Sequence, residues 1–151
     1  MEEDEYKNTY QHIADVRCVF EKALTNQQAK CSYAKHFWLA DREGYSCTSK
    51  GCADACSDFL QKLREISRFS LKLKAVGGAL PHNMDIRVQV GGLLGVQQLL
   101  SPNLHSDKID DIRCLVDVAM RQFGGLEALP YTDIVKSVAS FQGRRRRRRD
   151  V

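Results

Sequence analysis

Cys52-Ala53-Asp54-Ala55-Cys56-Ser57-Asp58-Phe59-Leu60-Gln61-Lys62-Leu63-Arg64-Glu65-Ile66 is the stretch from which the fold can be read. Cys52, Cys56, Phe59, Leu60, Leu63 and Ile66 recur at steps of three and four, the spacing that puts one stripe of an α-helix against a core. Thr48 or Ser49 just upstream offers a hydroxyl to cap that helix. Two cysteines four apart lie on adjacent turns, about 6 Å from each other at Cβ, and on the buried side.

Upstream, Tyr6, Tyr10, Ile13, Val16, Phe20 and Leu24 form another helical stripe, with Cys18 off it. The polar run Thr25-Asn26-Gln27-Gln28 breaks that pattern, and residues 31–40 then predict a second helix with an aromatic face, ending near Gly44. Residues 44–51 are dense in turn formers.

Downstream, residues 69–90 allow two readings. Phe69, Leu71 and Leu73, then Met84, Ile86, Val88 and Val90, alternate with a period of two around Gly77-Gly78 and Pro81, as in a β-hairpin with a long loop. The same residues fit a helix stopping at Gly77 and another opened by Pro81 and running to Leu100, although Gly91, Gly92 and Gly95 would each weaken it by about 1 kcal/mol relative to alanine. The helical surroundings favour the second reading.

The last third predicts a helix capped by Asp107, with Ile109, Ile112, Leu115, Val116, Ala119, Met120 and Phe123 inward and Gly124-Gly125 as its stop. A short helix follows Pro130, with Ile134, Val135, Val138 and Phe141 inward. The expectation is a mainly α, single-domain helical bundle of about five helices, with a β-hairpin around 69–90 as the alternative. At 151 residues and 43% hydrophobic content the chain can bury one core, assigned to residues 1–143.

Residues 144–151 form an arginine-rich tail. Arg144, Arg145, Arg146, Arg147, Arg148 and Arg149 supply six of the 23 basic residues and Asp150 one of the 19 acidic ones, so residues 1–143 carry 17 against 18. All the excess positive charge is therefore terminal. Such a block repels itself, stays disordered and suits polyanions, whose phosphates it would contact without reading sequence. A merely solvated tail is the bland alternative.

Four of the six cysteines, Cys31, Cys47, Cys52 and Cys56, fall within 26 residues, with His36 among them. The acidic start Glu2-Glu3-Asp4-Glu5 is unlike an export signal, and no apolar run reaches the roughly 18 residues of a membrane helix. A cytoplasmic location with reduced thiols is expected, without membrane attachment. Crowded thiols in a reducing compartment suit a soft metal or an iron–sulfur cluster.

Fifteen residues separate Cys31 from Cys47, four separate Cys47 from Cys52, and three separate Cys52 from Cys56, with no C-x-x-C. Structural zinc usually takes two closely spaced pairs, whereas a cluster brings its own inorganic geometry and needs only four converging thiolates. The spacing favours iron–sulfur over zinc, and buried thiols without metal are the third reading. His36 could substitute for one thiolate. Tyr33, Phe37, Trp38, Tyr45 and Phe59 could wall the site from solvent. Cys18 and Cys114 are set aside as structural, Cys114 as core filling.

Phosphate-loop, dinucleotide and H-E-x-x-H motifs are missing, and nothing orients a Cys–His nucleophile pair, so no catalytic residue is indicated. The sequence leaves three functions open. One is a small iron–sulfur protein acting as a redox- or metal-responsive regulator or electron-transfer accessory. Another is a nucleic-acid-binding module with a structural zinc or cysteine-rich core and the arginine tail. The last is a metal-free adaptor for a protein partner.

Overall fold

In a computed structural model that describes residues 2–13, 16–70 and 80–141, Ser49 starts the helix read above. Its Oγ accepts the N–H of Cys52 at 3.3 Å, and helix α3 runs over Lys50–Ser70. The other helices are α1 (Glu3–Ile13), α2 (Glu21–Thr25), α4 (His82–Leu100), α5 (Ile112–Phe123) and α6 (Tyr131–Ser140), with a short 3-10 turn at Leu126–Ala128. Strands β1 (Ala34–Leu39) and β2 (Arg42–Cys47) form a two-stranded antiparallel sheet in which Ala34 faces Cys47 and Leu39 faces Arg42. Among the described residues the chain is mainly α with one hairpin, and no helix there is long and apolar enough to cross a membrane.

The core is built on α3 and α4. Phe59, Leu60 and Leu63 of α3 share one buried cluster with Val88, Leu93 and Val96 of α4, and Phe20, Ala23, Leu24, Ile112, Val116, Ile134 and Val138 complete it. Helix α4 is buried nearly all round, which is why its three glycines do not unmake it. Gly91 and Gly95 lie against the α6 backbone, where a Cβ at Gly91 would stand 2.8 Å from Val138 Cα and one at Gly95 3.0 Å from the Ile134 carbonyl. Close approach repays the propensity that the glycines forfeit.

Several expectations are corrected. Residues 31–40 form a strand where a helix was expected, and the turn-rich residues 44–51 supply β2 and the start of α3. The hairpin therefore lies at 34–47 and not around 69–90, where α3 reaches Ser70 and α4 begins at His82; residues 71–79 lie outside the described residues. The first helical stripe is interrupted, because residues 16–18 run extended along β2: Cys47 N–H donates to Val16 O at 2.8 Å and Cys18 N–H to Tyr45 O at 3.0 Å. Asp111, not Asp107, caps α5, accepting the Arg113 N–H at 3.2 Å, while Ile109 is buried ahead of the helix. Gly124 closes α5 at φ 87°, the left-handed region in which glycine pays no Cβ penalty.

Candidate thiol site

Four separate segments deliver cysteines to one corner of the core. Residues 16–18 pair with the end of β2, which sets Cys18 opposite Tyr45 and on the same face of the ribbon as Cys47. Cys31 arrives on a loop anchored to the start of α5, since Lys30 N–H donates to Ile109 O at 3.0 Å, Ile112 N–H to Lys30 O at 2.8 Å, and Ser32 N–H to Asp111 Oδ1 at 3.0 Å. The same loop reaches the end of β2, where Thr48 N–H donates to Tyr33 O at 2.9 Å. Cys56 rises from α3, and with Cys18 and Cys31 it packs against the main core.

The sulfurs feel one another. Cys18, Cys31, Cys47 and Cys52 all lie within electrostatic reach of Cys56; Cys31 and Cys47 lie within reach of Cys18, and Cys47 within reach of Cys31. Cys18, Cys31, Cys47 and Cys56 are thus mutually connected in every pairing. Burial pushes the thiols of Cys18 and Cys56 up to about 12, and raises that of Cys31. Thiols so reluctant to ionise make poor nucleophiles at neutral pH.

Backbone N–H groups point at two of the sulfurs: that of Phe20 at Cys18, and those of Tyr33 and Arg113 at Cys31. The Cys47 thiol donates to Ser49 O at 3.1 Å. No three His, Cys, Asp or Glu side chains among the described residues stand close enough together to hold a metal ion.

The residues expected from the sequence divide. Cys31, Cys47 and Cys56 are brought together, with Cys52 at their edge and also within reach of Arg113, whose guanidinium lies 4.8 Å from the centroid of the Tyr33 ring. His36 is turned to other work: it is exposed, its Nε2 lies 3.1 Å from Glu43 Oε2, and its ring stacks on Tyr45 at 4.7 Å. Of the aromatic wall, Tyr45 and Phe59 pack at the main core, but Trp38 is 61% exposed and Phe37 joins Tyr6 and Leu39 in a separate small cluster.

Cys114, expected to fill the core, is exposed on α5. Cys18, set aside as structural, does pack against the core, and it also lies within electrostatic reach of Cys31, Cys47 and Cys56; the one sign of this in the sequence is that it falls off the apolar stripe of its segment. Arg144–Arg149 lie outside the described residues. No known protein family, curated protein or solved structure matches the chain.

Proposed function

We propose that the protein carries an iron–sulfur cluster on Cys18, Cys31, Cys47 and Cys56 and acts as a redox- or metal-responsive regulator or electron-transfer accessory. The observation that carries this reading is the complete set of pairings among those four thiols, drawn from four segments of chain. The N–H groups aimed at Cys18 and Cys31 support it, because hydrogen bonds to cysteine sulfur stabilise the thiolate and tune a cluster's potential.

A single tetrahedral zinc with bonds of about 2.3 Å would draw its four sulfurs to about 3.8 Å from one another. A polynuclear core tolerates wider separation. The preference for a cluster over zinc rests on the cysteine spacing, which lacks the second close pair that structural zinc usually takes. When bound, the cluster would supply one-electron chemistry; the chain's own residues would hold it, limit water at its buried side and donate hydrogen bonds to its sulfurs.

Anaerobic preparation with iron should give a coloured protein containing iron and acid-labile sulfide. Cys18→Ser should lose at least nine-tenths of that iron, whereas Cys114→Ser should keep it. Cys52→Ser discriminates between ligand sets: retained iron supports the quartet with Cys18, and bleached protein restores Cys52 to the set. An iron-free, colourless product from the wild-type chain would end the proposal, and one zinc per chain would replace it with a structural site.

A further inference from the structure

One face of the hairpin carries a row of rings that leads from solvent to the thiol corner. Strand register fixes the row. Tyr45 faces His36 on β1 and, because Arg17 bridges Ser46, it faces Cys18 on its other side, so His36, Tyr45 and Cys18 share one face of the ribbon. Trp38, two residues along β1 from His36, lies on that face too. On the opposite face, Phe37 and Leu39 pack with Tyr6 of α1.

The rings touch in sequence. The His36 ring stacks on Tyr45, with centroids 4.7 Å apart and 20° between the planes, and it meets Trp38 edge-on at 5.6 Å. Glu43 Oε2, 3.1 Å from His36 Nε2, holds the imidazole in place. Exposure falls inward along the row: Trp38 is 61% exposed, the His36 side chain 43%, and Tyr45 and Cys18 are packed against the core. The Tyr45 hydroxyl lies within electrostatic reach of Cys18.

We propose that His36 and Tyr45, with Trp38 outside them, form a lid over Cys18, and that small molecules reach this thiol from the hairpin side when the stack parts. His36 is the layer that controls it. Tyr45, Trp38 and Glu43 hold the imidazole from three sides, and without the imidazole the outer face of the Tyr45 ring is bare. A single aromatic contact is weak enough to open locally while the main core stays folded. As a gate for iron the lid rests on the cluster reading; as a cover for the Cys18 thiol it does not.

Alkylation of the metal-free, full-length chain by iodoacetamide, followed cysteine by cysteine through peptide mass mapping, tests the lid. Cys114, exposed on α5, supplies the reference rate. His36→Ala should speed labelling of Cys18 relative to Cys114 about three- to tenfold, the range that loss of one aromatic contact allows. His36→Phe keeps a ring over Tyr45 and should return Cys18 close to its wild-type rate. An unchanged Cys18 rate in His36→Ala would overturn the proposal. So would equal acceleration in His36→Phe, which would trace the protection to the pair with Glu43 and not to the stacked ring. Acceleration of Cys56 on α3 by the same factor as Cys18 would signal general loosening and overturn it as well. In the iron-loaded chain, His36→Ala should start with the wild-type iron content and surrender it to a chelator faster. A chain that takes up no iron would defeat the cluster and leave the alkylation result standing, whereas bound iron with Cys18 labelled at the wild-type rate in metal-free His36→Ala would defeat the lid alone.

Discussion

Where α4 packs on α6, Gly91 and Gly95 let backbone meet backbone, and fully buried Val88, Leu93, Ile134 and Val138 fill the space around them. At the thiol corner, four cysteines from four segments are positioned instead by backbone hydrogen bonds between strand ends and loops. The first region is held by dense apolar contact that the chain supplies by itself. The second rests on hydrogen bonds worth about 0.5–1.5 kcal/mol each, with Cys18, Cys31 and Cys56 only partly buried against the core. A ligand that binds only the folded corner adds stability by mass action, so the corner is where a bound group would matter most and the α4–α6 contact is where it would matter least.

Breaking the packed side should produce the largest effect. Gly91→Val would drive a branched side chain into Val138 Cα, the Ser137 carbonyl and Phe141 Cβ, which lie 2.8, 3.1 and 3.2 Å from the position of a Cβ. Overpacking of this kind should cost about 3 kcal/mol, a fall of roughly 10 °C in thermal midpoint for a chain of this size. Iron bound at the proposed cluster should fall only as far as the folded fraction does. A variant as stable as wild type would show that α4 and α6 are less tightly apposed than the structure has them.

Asp85 sits between the two regions, joining Lys22 of α2 and Arg64 of α3 to the first turn of α4. Burial alone would raise its carboxyl, but hydrogen bonds and charge from Arg64 and Lys22 overcome this and hold it below the usual range. A depressed folded-state value means that the stabilisation is complete above the unfolded carboxyl's value, about 3.9, and is lost as pH falls through the lower, folded one. Asp85→Asn should cost about 2 kcal/mol at neutral pH, less than a fully buried pair because both cations are about one-third exposed. Its urea midpoint should then vary less with pH below about 4 than that of wild type. Parallel acid profiles for the two proteins would contradict this account of Asp85.

The packed region was the legible one. Phe59, Leu60 and Leu63, and separately Ile112, Val116 and Ala119, keep helical spacing because each helix has one buried face, and Ser49 announces the start of α3 by its chemistry. The hairpin hid for physical reasons. Strand β1 shows no clean alternation of buried and exposed positions, and its turn carries neither glycine nor asparagine: Ala40 takes the left-handed φ of 55° itself. At the site, crowding in sequence pointed to Cys31, Cys47 and Cys56. Cys18 could not be found that way, since only the tertiary pairing of residues 16–18 with β2 brings it in. Asp111 was displaced in the reading by Asp107 because Ile109, though buried, belongs to a bridge with Ala29 and not to α5.

The smallest expected effect is the one that sharpens the comparison most. Asp111 Oδ1 accepts from Arg113 N–H, capping α5, and from Ser32 N–H, fixing the loop that presents Cys31. One carboxylate therefore serves the helical framework and the thiol corner together. Asp111→Ala should cost about 1 kcal/mol, the usual value of an N-cap, or roughly 3 °C in midpoint. Loss of a cap alone would stop there. Because the Arg113 N–H also points at Cys31, freeing the loop should disturb that sulfur as well, and iron of the proposed cluster should leave the variant faster than wild type when a chelator is added. Asp111→Asn keeps an acceptor for both N–H groups and should restore most of the stability and the slower release. Equal chelation rates in wild type and Asp111→Ala, despite the lower midpoint, would mean that the cap and the Cys31 loop are energetically separate.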